Sequence, residues 1–460
     1  MYKFLKKTGQ CGEKSKNKTG IIRAESTKKG ARSLDKICTN EINQYMCIDL
    51  KSFFASVECV ERGLDPFETR LVVADAERSN TTICLAVTPA MKKLGVKSRC
   101  RLYEIPPGID YIKATPRMKK YIDYSANVYA VYLKYVSKDD IHVYSIDEVF
   151  IDIGKYLKMY DTTSVELGER IRRDVLETTG IPAAFGIGTN LFLAKVALDI
   201  TAKKSRDFFG VLDEESYKKT LWDHKPLTDF WRIGPKTASK FARLGIYTMR
   251  DLAHYPKELL YNLLGVDAEI YIDHAWGREP TTIADIKEYK SSSHSKGSGQ
   301  ILPRNYSFDE GLLITKEMTE QLCLELFAND LVASSVTVEI GYGDRRLGGD
   351  RGSYRFLSPT SSVEKAELAV CDIYKKTVDK NTPVRKITVV FNNVEKESAC
   401  QMSFFSDVEK EDKEKDKMKA IIGIKKKYGK NAIFKGRDIA ECATLRERNR
   451  QIGGHKSGEE

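Results

Sequence analysis

YSIDEVFIDI, residues Tyr144 to Ile153, decides the fold, because two adjacent carboxylates, Asp147 and Glu148, interrupt an otherwise apolar run. Apolar residues on both sides of a short polar tetrapeptide are typical of two strands that meet at a tight turn. Moving a carboxylate out of water is costly unless it is paired or binds a cation, and neighbouring acids also repel each other. The pattern therefore predicts a hairpin whose turn holds either solvated acids or a cation site.

A third acid occupies a comparable position earlier in the chain. Asp49 lies near the end of the apolar run YMCIDL, which predicts a second buried strand, and a helical pattern with Phe53 on its apolar face follows. Mg²⁺ prefers hard oxygen ligands and leaves coordination positions open for substrate phosphates. Three carboxylates at strand ends therefore suit a magnesium site for phosphoryl transfer, with solvated turn acids as the alternative on spacing alone.

Composition limits the partners. The 460 residues favour two to four domains, and the formal net charge of +11 favours a polyanion such as nucleic acid. The ten cysteines show no CxxC or zinc-ligand spacing, which favours a reducing cytoplasm over a disulfide or zinc framework. Since no apolar run approaches the ~20 residues that span a bilayer, and no apolar stretch follows MYKFLKKTGQ, we expect neither a membrane segment nor a signal peptide.

Two motifs together carry a family resemblance. IDLKSFFASVE, residues Ile48 to Glu58, is followed about a hundred residues later by YSIDEVF, and the pair resembles the catalytic motifs of the Y-family, or UmuC/DinB-type, DNA polymerases. The likeness runs through most of the chain from about Tyr45 and is greatest to UmuC-like polymerases of Gram-positive bacteria. It implies an α+β, multidomain right-hand polymerase with palm, small fingers, helical thumb and α/β little finger.

The resemblance also implies the domain limits. The expected segments are a basic flexible arm (1–44), palm (45–52 and 117–210), fingers (53–116), thumb (211–278), linker (279–292), little finger (293–400), and a clamp-binding motif with a charged, basic tail (401–460).

Matching positions assign the catalytic roles. Asp49 and Asp147 would bridge two Mg²⁺ ions, which Mn²⁺ could replace; Glu148 would help hold the ion at the primer 3′ hydroxyl, and the Leu50 carbonyl would complete the nucleotide-side ion. Phe54 matches the aromatic that blocks a sugar 2′ hydroxyl, with core packing as the alternative. Ser145 matches a small polar residue beside the metals and is assigned to the nucleotide.

Two lysines match triphosphate contacts. Lys92, in AVTPAMKKLGVKS, stands where an arginine is usual, and Pro89 stands where many relatives have tyrosine, so Lys92 would act only as a point charge. In GIGTNLFLAKVALDITAKKS, which resembles a helix whose late lysine binds the triphosphate, the spacing to that lysine is one residue longer than in some relatives. Lys203 is therefore assigned to the triphosphate, with Lys204 in reserve, and Asp199 is expected to make local contacts.

The later chain matches modules that grip DNA. FWRIGPKTASKFARLGIYT resembles a helix-hairpin-helix, in which Gly234 and Lys236 would hold backbone phosphates at a helix start. The polar stretch IKEYKSSSHSKGSG is expected to be a tether. RRLGGDRGSY lacks the Glu-Phe of GGDEF cyclases and is interpreted as a basic loop or hairpin facing DNA.

QMSFFSD resembles the peptide that docks into the bacterial sliding clamp. Gln401 would use its amide, and Phe404 and Phe405 would fill an apolar pocket. The alternative is a terminal strand that buries its phenylalanines. The charged run EKEDKEKDKMK that follows is expected to be unstructured by composition.

The function implied is low-fidelity, template-directed DNA synthesis past lesions in a damage (SOS) response. The expected setting is the bacterial cytoplasm at the nucleoid, with primer-template DNA, dNTPs, the clamp, and UmuD-like or recombinase accessory proteins as partners. The alternatives are an inactive, clamp-associated DNA-binding protein that keeps the fold and, less favoured, a nucleotidyl cyclase, which would not need the hairpin module or little finger. The intact Asp49, Asp147 and Glu148 favour the enzyme.

Overall fold

The structure is a computed structural model that describes residues 44–75, 77, 79–203, 205–291, 294–397 and 408–458. The chain divides into two compact units, Met1–Tyr289 and Lys290–Glu460, each described by itself below.

The first unit mixes short strands with many helices. Its strands are β1 (Tyr45–Leu50), β2 (Leu71–Val73), β3 (Ala86–Val87), β4 (Ile112–Ala114), β5 (Ile141–Val143), β6 (Glu148–Asp152), β7 (Ala183–Gly188) and β8 (Phe209–Leu212). Its α-helices are α1 (Phe53–Val60), α2 (Pro89–Lys93), α3 (Met118–Tyr132), α4 (Gly154–Met159), α5 (Ser164–Thr179), α6 (Leu191–Val196), α7 (Glu214–Thr220), α8 (Pro235–Arg243), α9 (Met249–His254), α10 (Lys257–Leu264), α11 (Ala268–Trp276) and α12 (Ile283–Glu288).

A five-stranded sheet forms the centre of this unit, in the order β5-β6-β1-β7-β8. The hairpin predicted from YSIDEVFIDI is confirmed, because β5 and β6 pair antiparallel on either side of the SIDE turn. Strand β1 pairs antiparallel with both β6 and β7. The central strand is therefore the one that carries Asp49 next to its last residue, Leu50.

Helices cover both faces of this sheet. Helices α3 and α5 share one apolar core with β1, β6 and β7, whereas α6 packs on the opposite face. Helix α5 starts with a capping box between Thr163 and Glu166 and ends at Gly180, whose φ of 71° suits glycine. A Cβ at Gly186 would collide with the backbone of Ala194 and Leu198, so glycine permits α6 to lie directly on β7.

Two smaller elements complete the unit. A three-stranded sheet, β3-β2-β4, closes over its own small apolar core, and helices α7 to α11 form a helical cluster. The segment 279–292 is not wholly a linker, because it contains α12, whose Ile283 is 2% exposed in the core between the five-stranded sheet and α6. The composition of this segment hid the Thr282 N-cap, which accepts a hydrogen bond from Asp285 N and starts the helix.

The second unit is an antiparallel sheet backed by helices. Its strands are β9 (Ser295–Tyr306), β10 (Leu331–Tyr342), β11 (Gly349–Thr360), β12 (Val384–Lys396), β13 (Gln451–Ile452) and β14 (His455–Lys456), and its α-helices are α13 (Phe308–Phe327), α14 (Val363–Thr377), α15 (Val408–Tyr428) and α16 (Leu445–Asn449). The first four strands form one sheet in the order β11-β10-β12-β9, and α13 and α14 pack on one of its faces. The expected hairpin around RRLGGDRGSY is present as β10 and β11.

Two expectations for this unit are wrong. The end of the polar stretch expected to be a tether is strand β9, whose ladder with β12 is made by the backbone and needs no large side chains. The charged run expected to be unstructured lies in α15, where Met418, Ile421 and Ile422 contact the core of the unit. Within the described ranges, no helix is both long enough and apolar enough to cross a membrane.

Candidate active site

The first unit brings the three predicted acids together at adjacent strand ends. Asp49 on β1 lies directly opposite Glu148 on β6. The Leu50 N–H donates to the Asp147 carbonyl over 2.9 Å, which ties the SIDE turn to the end of β1. Tyr144 and Ser145 both donate backbone N–H groups to the Glu148 carbonyl over 3.0 Å, so the turn is closed by its own backbone.

Glu148 is buried and held by two groups that the sequence analysis missed. Its carboxylate lies 2.6 Å from Lys195 Nζ and accepts a hydrogen bond of 3.1 Å from the Cys47 thiol. Burial raises the pKa of Cys47 well above its ordinary value, so the thiol stays protonated and donates. Burial alone would lower the pKa of Lys195, but the carboxylates of Asp199 and Glu148 raise it. Lys195 is therefore a permanent cation beside the acids.

The buried position of Asp49 disfavours its charged form. Burial raises its pKa from 3.8 to about 6, because attraction to Lys203 only partly offsets the desolvation and the repulsion from Asp147 and Glu148. Lys203 Nζ lies 3.6 Å from the Asp49 carboxylate and 2.7 Å from that of Asp199. Asp199 also lies 2.9 Å from Lys195, so the local contacts expected for it are ion pairs with both lysines.

Ser145 orients one of the three predicted acids. Its hydroxyl donates to Asp147 Oδ1 over 2.6 Å, which fixes the carboxylate that follows it in the turn. The turn is held from the other side by Ser125 on α3, whose hydroxyl donates to the Ile146 carbonyl over 2.5 Å. The predicted contact of Ser145 with a nucleotide stays a prediction.

The position of Lys203 follows from an unusual turn of helix. Helix α6 continues as a π-helical segment, Ala197–Ala202, which accommodates one more residue than an α-helical turn. Lys195, Asp199 and Lys203 follow one another at intervals of four residues and meet on one side of this helix. The assignment of Lys203 to the triphosphate stays a prediction, and Lys204 lies outside the described residues.

Further lysines surround the acids. Burial lowers the pKa of Lys51 to about 8, with Asp49 raising it and Lys203 and Lys92 lowering it. The pKa of Lys92 on α2 is lowered by desolvation, with Asp49 raising it and Lys203 lowering it. These mutual influences place Lys51, Lys92 and Lys203 within electrostatic reach of Asp49, an arrangement suited to a polyanionic ligand.

Phe54 lies half-buried at the start of α1 and is supported by a chain of contacts. Its ring stacks on Tyr121 with centroids 4.6 Å apart. The Tyr121 hydroxyl donates to Glu58 over 2.8 Å, and Arg117 donates to the same carboxylate through two nitrogens, at 2.9 and 2.8 Å. Phe53 is only 2% exposed, so its predicted position on the apolar face of the helix is confirmed, whereas the gate role of Phe54, which packs partly buried against the same core, stays a prediction.

The predicted hairpin module consists of α8 and α9 with a short connection. Gly234 is the N-cap of α8 and Pro235 its first residue, and Lys236 is exposed. The preceding Trp231 donates its indole N–H to the Tyr144 hydroxyl over 3.1 Å, which links this module to the SIDE turn. The predicted clamp residues Gln401, Phe404 and Phe405 lie outside the described residues.

Lys195, Cys47 and Lys51 were missed for one reason. Each stands in or beside an apolar run, where sequence alone suggests a core position or a solvated lysine. The available signal was Lys195 itself, a cation within the otherwise apolar LFLAKVAL, which requires a buried anion as partner.

The donor set fits a divalent cation. In the part of the chain that the structure describes, no three His, Cys, Asp or Glu side chains are gathered closely enough to hold a metal ion, and Glu148 instead contacts Lys195. Asp49 is nevertheless a carboxylate whose pKa is raised by burial, with Asp147 and Glu148 adding to the rise. Carboxylate oxygens at adjacent strand ends are hard donors of the kind that Mg²⁺ prefers.

Comparisons with known proteins agree with this geometry. The model of the impB/mucB/samB family matches residues 48–199, and the model of that family's C-terminal domain matches residues 293–404. A "Putative UV-damage repair protein UvrX" of Bacillus subtilis (strain 168) is 30% identical over 90% of this chain and 97% of its own length. A "DNA polymerase IV 2" of the same organism is 28% identical over 89% of this chain and 97% of its own length.

A solved structure shows the same fold. A "Y-family DNA polymerase chimera Dbh-Dpo4(243-245)-Dbh" superimposes with a TM-score of 0.61 and 22% identity over 77% of this chain and 100% of its own. Fold and acid site together define a right-hand polymerase of the α+β class. The chain belongs to the impB/mucB/samB family, the Y-family DNA polymerases of the UmuC/DinB type. The expected likeness to UmuC-type proteins of Gram-positive bacteria is confirmed by the Bacillus relatives.

Proposed function

We propose that the chain extends DNA primers by template-directed addition of deoxynucleotides, with low fidelity, and that it copies past lesions. The observation that carries this proposal is the meeting of Asp49, Asp147 and Glu148 at the ends of β1 and β6, with Lys195 and Lys203 paired to two of them. An inactive DNA-binding protein would gain nothing from keeping a buried, ionisable Asp49, which costs folding free energy.

The chain's own residues would perform two tasks at the metal ions. Asp49, Asp147 and Glu148, with the Leu50 carbonyl, would hold the metal ions, and Ser145 would fix the Asp147 carboxylate through its 2.6 Å hydrogen bond. Members of this family depend on divalent metal ions in general, and such ions, when bound, polarise the attacking hydroxyl and stabilise the leaving oxygen. Two Mg²⁺ ions, replaceable by Mn²⁺, are the proposed set.

The incoming nucleotide would meet cations on one side and an aromatic ring on another. Lys92 and Lys203 are proposed to contact the triphosphate, with Ser145 nearby. Lys203 would exchange its contacts with Asp49 and Asp199 for phosphate oxygens. Phe54, rigid because it stacks on Tyr121, is proposed to exclude a sugar 2′ hydroxyl.

The domain limits expected above stand as a proposal, apart from the corrected linker and tail. Gly234 and Lys236 would hold the DNA backbone at the start of α8 without reading bases. Gln401, Phe404 and Phe405 are proposed to dock into the sliding clamp, and UmuD-like or recombinase proteins remain proposed accessories. We place this activity at the nucleoid in the bacterial cytoplasm, where its template is.

Primer extension by the purified chain with Mg²⁺ tests the proposal. Asp147→Ala should abolish extension while primer-template binding, measured by fluorescence anisotropy, is retained. Asp123→Ala, which removes an exposed carboxylate of α3 that pairs with Lys119 on the same helix, is the matched control and should extend normally. Normal extension by Asp147→Ala would sink the acid assignment.

Lesion bypass needs a separate measurement. The wild-type chain should extend the primer across an abasic site in the template as well as along an undamaged template. Asp147→Ala should lose extension on both templates. Synthesis that stops one nucleotide before every abasic site, with normal synthesis on the undamaged strand, would refute the bypass proposal and leave the polymerase assignment intact.

A further inference from the structure

The segment 408–458 packs onto the second unit as a folded cap. Met418 is 3% exposed in the core of this unit, and Arg437 pairs with Glu320 and Glu367 of α13 and α14. The Thr444 N–H donates to the buried Glu317 over 3.2 Å. This C-terminal cap, residues 408–458, lies beyond the 293–404 matched by the family's C-terminal domain model.

The cap concentrates the positive charge of the chain. Residues 408–458 contain fifteen Lys and Arg against eight Asp and Glu, a net charge of +7, whereas the whole chain has a formal net charge of +11. More than half of the excess charge therefore belongs to about a ninth of the sequence.

Five exposed cations of the cap come from two elements that touch each other. The Asn431 side chain donates to the Arg446 carbonyl over 3.1 Å, and the Asn449 side chain donates to Asn431 over 2.8 Å, so α16 lies against the turn that ends α15. This contact gathers the residues that we call the basic patch: Lys426, Lys427, Lys430, Arg446 and Arg450. Among the described residues, none of these five forms an ion pair, whereas Lys410, Lys415 and Lys435 elsewhere in the cap do.

Helix stability explains only part of the patch. Lysines in the last turn of α15 are favoured by the helix dipole, which accounts for Lys426 and Lys427. It does not account for Lys430, which follows Gly429 at a φ of 97°, or for Arg446 and Arg450 on a different helix. Unpaired like charges repel one another, so their gathering favours an anionic partner.

An aromatic ring lies within the patch. Tyr428 is 67% exposed, and Lys427 Nζ lies 5.0 Å from the centre of its ring. Exposed aromatic rings among cations are typical of surfaces that bind single-stranded nucleic acid, where bases stack on the ring and phosphates meet the cations. A lipid surface would favour aliphatic side chains beside the cations instead.

We propose that the basic patch binds single-stranded DNA, with Lys426, Lys427 and Lys430 on phosphates and Tyr428 stacked on a base. This inference rests on the proposed function only in that the bound strand would be the template of the polymerase. Binding is measured without synthesis, so a failure of catalysis would not be mistaken for a failure of the patch.

The test uses the full chain carrying Asp147→Ala and a fluorescent single strand of about 16 nucleotides, within the usual range of single-strand site sizes. Anisotropy is followed as salt increases. Lys426→Ala/Lys427→Ala/Lys430→Ala should weaken binding about tenfold and reduce the slope of log affinity against log salt by about 2, since each phosphate contact contributes about 0.7. Tyr428→Ala should weaken binding without changing the slope.

The matched control removes three exposed lysines. Two of them lie in the last turn of α14, and the third follows the helix. Lys375→Ala/Lys376→Ala/Lys380→Ala changes the charge equally, but Asp372 pairs with Lys376 there. It should bind within about twofold of the parent. Equal losses in both triple variants, or unchanged affinity and slope in the patch variant, would overturn the proposal.

Two further measurements keep the test decisive. Thermal unfolding checks that each variant is folded, and Lys430→Gln/Arg450→Gln, which keeps polar side chains, should weaken binding in the same direction if the triple variant is unstable. Vesicles containing phosphatidylglycerol identify the other anion source. Loss of vesicle binding with unchanged DNA binding would refute DNA as the partner.

Discussion

Asp49 should make the metal-free protein less stable than a neutral residue would. In Asp49→Asn the shape and hydrogen-bonding capacity of the side chain are kept and its charge is removed. Each pKa unit corresponds to 1.36 kcal/mol, so the rise of the Asp49 pKa from 3.8 to about 6 predicts a gain of about 2 to 3 kcal/mol in the free energy of unfolding of the first unit.

The pH dependence of this gain follows from its sign. The folded state holds the Asp49 proton more tightly than the unfolded state, so wild-type protein loses stability as the pH rises from 3.8 to about 6. The difference in the free energy of unfolding between variant and wild type should therefore reach its full value at about pH 8 and vanish below the ordinary pKa of the carboxyl.

Urea unfolding in a chelating buffer measures the difference. The three tryptophans, Trp222, Trp231 and Trp276, all belong to the first unit, so their fluorescence follows that unit without interference from the second. Adding Mg²⁺ should stabilise the wild type and not the variant, because only the wild type keeps this ligand. An Asn variant that is equally or less stable at about pH 8 would refute the reasoning.

Three other changes have definite expected outcomes. Phe54→Ala should admit ribonucleotides in primer extension, whereas the core substitution Phe53→Leu should leave the discrimination between sugars unchanged. If Phe54→Ala discriminated between sugars as well as the wild type does, the gate role would be refuted. Arg117→Ala leaves the fully buried Glu58 without its bidentate partner, so the free energy of unfolding measured with urea should fall by about 3 kcal/mol, or by less if Arg62 compensates. A fall below about 0.5 kcal/mol would contradict the importance of this pair. Gly186→Ala should prevent folding of the first unit, seen as loss of the tryptophan unfolding transition, while Gly423→Ala, where a methyl group meets open space, should not; a stable Gly186→Ala protein would show that α6 can move away from β7.

The sequence predicted the features that obey strong local rules. The SIDE hairpin followed from apolar runs around a polar turn, and the strand that carries Asp49 followed from YMCIDL. Because strand ends fix the acids, the meeting of Asp49 with the SIDE acids was predictable once both strands were placed in one sheet.

Other features depend on contacts that local patterns do not encode. Strand β9 is rich in serine and glycine and is held by backbone pairing with β12, a partner about ninety residues later. Helix α15 looks solvated because its few apolar residues are diluted by charge, yet Met418 is enough to anchor it. The partnership of Lys195 with Glu148 required the three-dimensional position of α6.

The π-helical turn Ala197–Ala202 also has a consequence for the direction of Lys203. Adding one residue to an α-helix rotates every later side chain by about 100°. A π turn takes up such a residue within a single turn. Lys203 directly follows that turn, so the direction from which its ammonium group approaches Asp49 depends on the backbone of one helical turn.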